Sequence, residues 1–505
     1  KSNPITTNDW WTSILRQEDA SGNRLGGNLW TFPLVSRATT SGFEVGHRGQ
    51  DEWYSDSDGS VSLGVDYLVG ITGSSFAPTK TIAMDWSDWH VDLRTQVGDD
   101  ESNRIDVTLA QGMPYVWLKT FGFDPVISAI HAGVRNIYDE SGNSLSFPAT
   151  TDRFVIEYDN NLYGIHFSEN VTIQETADGF SINGYANKWL VVSALNNVSD
   201  LSSLHQYAFV KPTSTSLDYT YNPNAGTVTA IYNITTEVLA GSETNALQGF
   251  IPHHYRGDAN DFSFTSLAYS GTSRGTMKCA VGSSFTFNYA FNADFLPYFN
   301  APEVDGSESI PYDADIMNEI IDGYAESVES GISGGTYWGG KNLLRMIKYT
   351  LMAKETGNSN YGTLLEMSKD YVYDWLTYTV GEEENYYSYY PAWKALIGFN
   401  EEYYSAYFTD NHFHCGYIVH AAALLEMAEP GSMDGYWDML TMIVKTYANW
   451  DKNDSEFPYM RTFSPWMGHS FASGLGNTIG NNQESTSESM QAWAGMFMVA
   501  EMTGN

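Results

Sequence analysis

The sequence predicts a multidomain chain in which an antiparallel β-sandwich is followed by a helical half. Three observations carry this expectation. The 505 residues exceed what one hydrophobic core usually accommodates. Up to about Asn300, short runs of alternating apolar and polar residues are broken by turn residues, and after Tyr312 apolar residues recur at helical spacing.

The β half is read first from Phe154-Val155-Ile156-Glu157-Tyr158 and Leu162-Tyr163-Gly164-Ile165-His166-Phe167, which flank Asp159-Asn160-Asn161 as the arms of a hairpin flank its turn. Similar runs at Trp189 to Leu195 and Thr227 to Leu239, separated by Gly, Asn and Ser clusters, argue for antiparallel pairing rather than βαβ units. The stretch Asn300 to Pro311 reads as a linker. Beyond it, Leu343, Leu344, Ile347, Leu351 and Met352 form a helical stripe that Gly357 ends. Further helices are expected near Asp315 to Ser330, Leu364 to Tyr378, His414 to Met427, Tyr436 to Tyr447 and Ser487 to Met502.

Charge narrows the partners. Lys plus Arg number 25 against 61 Asp plus Glu, a formal charge of -36, which repels nucleic-acid backbones and anionic lipid surfaces. A neutral polymer meets no such repulsion, and 34 Tyr, 25 Phe and 15 Trp offer flat faces for sugar rings, although most such residues serve cores and sheets. Two cysteines, Cys279 and Cys415, exclude a disulfide framework. No apolar run reaches the roughly 18 to 20 residues that span a bilayer. The opening Lys1-Ser2-Asn3-Pro4 has no signal-like apolar region, as expected of a mature secreted chain and equally of a cytosolic one.

Two segments place acids at helix entrances, Thr409-Asp410-Asn411-His412-Phe413-His414-Cys415-Gly416-Tyr417 and Gly480-Asn481-Asn482-Gln483-Glu484-Ser485-Thr486-Ser487-Glu488. Acids from two such entrances can face each other across a cleft, the arrangement glycoside hydrolysis needs: one carboxyl donates to the leaving oxygen, the other activates water or attacks carbon. Acids at helix starts are also favoured simply by the helix dipole. Ser485-Thr486-Ser487-Glu488 fits a capping box, with Glu488 reaching back to the N-cap amide, which leaves Glu484 as the freer carboxylate and the preferred base. On an extended segment Asp410, His412 and His414 would project to one side, so a metal-dependent hydrolase is a competing reading; the favoured one has the histidines bonding Asp410 and substrate.

At these motifs the chain resembles glycoside hydrolase family 81, the endo-β-1,3-glucanases. The likeness runs in order through Asn8-Asp9-Trp10-Trp11-Thr12, Pro33-Leu34, Thr336-Tyr337-Trp338-Gly339-Gly340-Lys341 and the segment opening at Asp410. It continues through Arg461-Thr462-Phe463, Gly468-His469-Ser470-Phe471-Ala472 and Asn482 to Glu488. It implies a β-sandwich over residues 1–235, a small α/β connector and linker over 236–311, and a C-terminal (α/α)6 barrel over 312–505. It also implies secretion and inverting, metal- and cofactor-independent hydrolysis of internal β-1,3 bonds in β-1,3-glucan by a monomer. Asp410 matches the family acid, and Glu484 and Glu488 its two glutamates, the first aligning with the base. His414, Tyr417, His469 and Asn482 fall on matching positions expected to line the cleft; Trp338, Trp393 and Trp466 are expected to contact sugar there.

Two departures from the family pattern are present: Cys415 stands where the family usually has an aromatic residue, and Phe471 where Trp is common. Twelve barrel helices need roughly 200 residues, so a barrel ending at Asn505 is expected to be incomplete and the chain a fragment. Glu303-Val304-Asp305-Gly306-Ser307-Glu308 matches the Glu-x-Asp-x-x-Glu pattern of retaining laminarinases but sits in the linker between Pro302 and Pro311, and is rejected as catalytic. A non-catalytic glucan-binding protein is the reading from a different class.

Overall fold

The computed structural model describes residues 4–15, 18–47, 53–55, 61–63, 69–129, 135–158, 161–272, 274–291, 313–476 and 478–504. The linker and its acidic motif lie outside these.

The N-terminal part is one large antiparallel sheet of 14 strands. A twisted sheet of that width must curl, and its inner strands show the result. Tyr115–Phe121 and Trp189–Leu195 are buried almost throughout, which explains why they read as continuous apolar runs rather than alternating ones. The first helix, α1 (Asp200–Ala208), covers this region; its Leu204 and Ala208 carbonyls accept hydrogen bonds from Tyr115 Oη at 2.8 Å and Trp117 Nε1 at 2.7 Å. The expected hairpin is present, with Phe154 opposite Ile165 and Tyr158 opposite Asn161.

A second group of strands follows. Val210–Asn222, Thr227–Val238, Ser284–Ala290 and Ala259–Asn260 make a four-stranded sheet, beside a three-stranded one of Ala246–Phe250, Gly275–Gly282 and Phe264–Thr272. A short helix, α2 (Pro252–Tyr255), lies between them in sequence. Residue 235, the expected boundary, therefore falls inside Thr227–Val238, which is paired on both sides.

The helical part contains α3 (Ala314–Ser327), α4 (Gly340–Thr356), α5 (Tyr361–Leu376), α6 (Asn411–Ala428), α7 (Trp437–Ala448) and α8 (Thr486–Thr503). All six helices expected from periodicity are there. Gly357 ends α4 in the left-handed conformation, φ 66°, a helix stop that glycine provides without Cβ strain. The centre is α6, buried on nearly every residue and apolar all round, as a helix enclosed by others must be. It packs against α4, α5, α7 and α8. Against α8 the backbones meet closely: a Cβ on Gly416 would stand 2.5 Å from Ala492 Cα, and one on Gly495 2.7 Å from His420 N. That crossing sets the entrance of α6 beside the entrance of α8, and with it Asp410 beside Glu484 and Glu488.

Candidate active site

Asp410 occupies the N-cap position of α6 but does not cap it. Its backbone is left-handed, φ 53° and ψ 26°, and its side chain accepts nothing from the first turn. Phe408 is left-handed too, φ 67°, and so is Glu484 at φ 62°. Non-glycine residues held there are strained, and such strain clusters where a side chain must point in a set direction.

The Asp410 carboxyl is buried, and its Oδ1 has no hydrogen-bond donor among the described residues. Burial, then the negative charges of Glu484 and Glu488, then a hydrogen bond to Glu484 push its pKa up to about 7. Asp410 therefore feels Glu484 both as a nearby charge and as a hydrogen-bonding neighbour. A proton on Asp410 lets its carboxyl donate to Glu484. Glu484 itself is exposed.

Glu488 differs from the capping expectation. Ser485 does cap α8, accepting from Glu488 N at 3.4 Å, but Ser485 N donates to the Gln483 carbonyl at 3.0 Å, so the reciprocal half of the box is replaced. Glu488 Oε1 instead receives hydrogen bonds from Tyr417 Oη at 2.5 Å, Tyr337 Oη at 2.7 Å and Lys341 Nζ at 3.2 Å. Burial alone would raise its pKa; the hydrogen bonds from Tyr417, Tyr337, Lys341 and Ser485 outweigh it and hold the carboxylate at about 2. Glu488 therefore stays ionised while Asp410 stays protonated, two acids whose environments separate their roles.

Tyr337 and Lys341 belong to the Gly-rich motif, which by itself carries no signal of this role. What fixes Tyr337 is Glu402, whose Oε2 accepts from Tyr337 N at 2.7 Å and Trp338 N at 2.9 Å and so anchors the π-helical turn Gly335–Gly339. Gly335, at φ 96°, is needed because a Cβ would lie 2.5 Å from that oxygen. Neither Glu402 nor this turn carries a sequence signal beyond the Gly-rich motif.

The other expected residues divide. Tyr417 is in the cluster just described. His414 stands beside it, its ring 5.4 Å from Tyr337, both ring nitrogens buried without partners and the imidazole kept neutral, pKa about 3, by burial. His412 has diverged from it: α6 begins earlier than expected, so the segment is helical, and His412 Nε2 meets Ser489 Oγ at 3.1 Å while its ring stacks on Trp493. Helical residues two apart do not share a face, so the one-sided projection behind the metal reading is not formed. No three metal-ligating side chains converge among the described residues.

His469 and Asn482 line a cavity of about 360 Å³ together with Trp30, Phe32, Arg274 and Phe471. This cavity continues to Gln483, whose Oε1 accepts from Arg274 Nη2 at 3.2 Å, one residue from Glu484. Trp338 is 48% exposed, with Nε1 donating to Tyr403 Oη at 3.0 Å, and it offers an open face. Trp393 is half-buried, its ring edge-on to Phe408 at 5.8 Å. Trp466 is a correction: it is completely buried in the β-side core and donates Nε1 to the Gly249 carbonyl at 3.0 Å, so no sugar reaches it.

Comparison with known proteins finds relatives along nearly the whole chain. Residues 1–300 match the family model of the glycosyl hydrolase family 81 N-terminal domain, and residues 314–505 that of its C-terminal domain. The chain is 31% identical over 99% of its length to a glucan endo-1,3-beta-D-glucosidase of Thermobifida fusca, and 30% identical over 99% to one of Acetivibrio thermocellus. It spans 64% and 62% of those two proteins, less than two thirds of their length. A solved structure of a glycoside hydrolase family 81 protein from Clostridium thermocellum superposes with a TM-score of 0.84 at 28% identity, covering 100% of this chain and 67% of that one.

Proposed function

The chain belongs to glycosyl hydrolase family 81, and on that premise we propose that it is an endo-acting hydrolase of internal β-1,3-glucosidic bonds in laminarin- and curdlan-type glucan. The observation that carries the reading is the buried Asp410 beside Glu484, two carboxyls arriving on separate loops that each hold a left-handed backbone. Asp410 protonates the departing glycosidic oxygen, which replaces Glu484 as the acceptor of its proton. Glu484, exposed and parted from Asp410 by the incoming sugar, takes a proton from water.

Residues on independent loops can stand the roughly 6.5 to 9.5 Å apart that leaves space for this water, so the first product is the α-anomer. Proton NMR during early laminarin hydrolysis reads the anomer before mutarotation; initial β-product would exclude this mechanism, and absence of new reducing ends would favour a glucan-binding protein. The same reading makes the chain a secreted monomer. Its helices belong to an (α/α)6 barrel, and residues 210–290 form the small connector. No helix among the described residues is long and apolar enough to cross a membrane.

The cavity walled by Trp30, Phe32 and Arg274 serves as a sugar subsite contributed by the β side, combining aromatic faces with planar polar groups. Trp30→Ala is expected to raise KM severalfold for long β-1,3-gluco-oligosaccharides and to leave the shortest cleavable one unchanged. An equal effect at every chain length, in a series of purified oligosaccharides, would remove the subsite.

A further inference from the structure

The first described segment of the chain lies against both catalytic loops. Asn8 is completely buried, and its Nδ2 donates to the Phe408 carbonyl at 2.7 Å, with longer contacts of 3.5 Å to the Phe471 and Ala472 carbonyls. Its Oδ1 is occupied by Thr7 Oγ1 at 2.7 Å, which sets the amide's orientation. Phe408 is one of the left-handed residues on the approach to Asp410, and Asp410 N donates to that same Ala472 carbonyl at 2.8 Å. One side chain thus gathers the carbonyls on both sides of the strained turn that aims the acid.

The neighbouring residue grips the other loop. The Asp9 carbonyl accepts from Asn481 Nδ2 at 3.1 Å. Asn481 Oδ1 in turn accepts from Ser473 N and Asn482 N, both at 3.0 Å, and so shapes the turn that leads to Glu484. Thr12 Oγ1 closes the segment on itself by donating to the Asp9 carbonyl at 2.8 Å, and Trp10 and Trp11 root it in the β-side core. Close approach leaves no slack: a Cβ on Gly474 would lie 2.5 Å from the Tyr407 carbonyl oxygen, and one on Gly476 2.5 Å from Ser13 Cα.

We infer that Asn8 and Asn481 are positioning residues, and that the segment around Asn8 sets the placement of Asp410 relative to Glu484 although it precedes them by some 400 residues in the chain. The inference rests on the acid and base assignment above. Asn8 is completely buried, and Asn481, although it shares the lining of the Trp30 cavity, spends its amide on the Asp9 carbonyl and on the Ser473 and Asn482 amides. Their effect is geometric, through main-chain carbonyls and amides, and a small displacement of a catalytic group costs orders of magnitude in rate.

Asn8→Ala is expected to lower kcat on laminarin at least tenfold with KM within twofold. The alkaline limb of the kcat/KM profile should move to lower pH as Asp410 draws away from Glu484 and Glu488, the charges that face it. Tyr115→Phe, which removes a buried hydrogen bond to a main-chain carbonyl in the distant β core, is the comparator for mere loss of stability. Asn481→Ala, at a partly buried position, carries the same kcat expectation and decides the case if Asn8→Ala does not fold. Unchanged kcat in Asn481→Ala, or a kcat loss and pH profile in Asn8→Ala no different from those of Tyr115→Phe, would overturn the inference. Failure of the underlying assignment looks different: Asp410→Asn would then retain activity.

Discussion

Asp410→Asn is expected to lower kcat on laminarin about a thousandfold while raising stability above neutral pH. The rate loss follows from removing the proton that the proposed mechanism gives to the leaving oxygen; general acids contribute typically 10² to 10⁴ in rate. The stability gain follows from linkage. The pKa of Asp410 is raised from 3.8 to about 7 by burial and by Glu484 and Glu488. A raised carboxyl favours folding fully only below its unfolded value, and that contribution is lost as pH rises from about 4 through about 7. A shift of this size corresponds to on the order of 4 kcal/mol. Asn is neutral at all pH and carries no such penalty, so the variant's melting temperature should match wild type near pH 4 and exceed it at pH 8. Wild-type activity should decline through about pH 7 on the alkaline side. Retention of a tenth of wild-type turnover, or a melting temperature that drops equally at both pH values, would contradict the assignment.

Glu484→Ala should lose a comparable factor, again about a thousandfold, with laminarin still bound. Glu488→Gln should lose less, about ten- to a hundredfold. Its carboxylate is held near pKa 2 by burial-opposing hydrogen bonds from Tyr417, Tyr337 and Lys341, and a base so stabilised in its ionised form is a poor acceptor of a water proton. Gln keeps an oxygen for these donors but loses the charge that offsets Lys341. Kinetics of both variants, with melting temperatures, separate the two glutamates. A larger kcat loss in Glu488→Gln than in Glu484→Ala, at unchanged melting temperature, would make Glu488 the base.

Much of this was legible in the chain itself. The six C-terminal helices followed from apolar spacing and stop signals, because a helix stripe is a local pattern with a local physical cause. The hairpin around residues 159–160 followed from alternation and turn residues in the same way. Asp410, Glu484 and Glu488 were found at helix entrances, and the family resemblance ordered them. The boundary at residue 235 went astray because ladder pairing of Thr227–Val238 with Ser284–Ala290 joins segments far apart in sequence, which periodicity does not report.

By itself, then, the sequence determined the two-part organisation and the family, and singled out three carboxylates as candidates. Tertiary structure alone decided the surroundings of each. Glu488 reads as a cap until α4 and α6 bring Lys341, the neighbouring Tyr337 and Tyr417 to it. His412 and His414 read as partners until helix geometry turns them apart, and Trp466 reads as a sugar platform until the β core closes over it. Asp410 owes its raised pKa to burial and then to Glu484 and Glu488, and its strained backbone setting to contacts that include Asn8. Charge, burial and strain at a site are sums over neighbours in space, and residues hundreds of positions apart become neighbours only when the chain has folded.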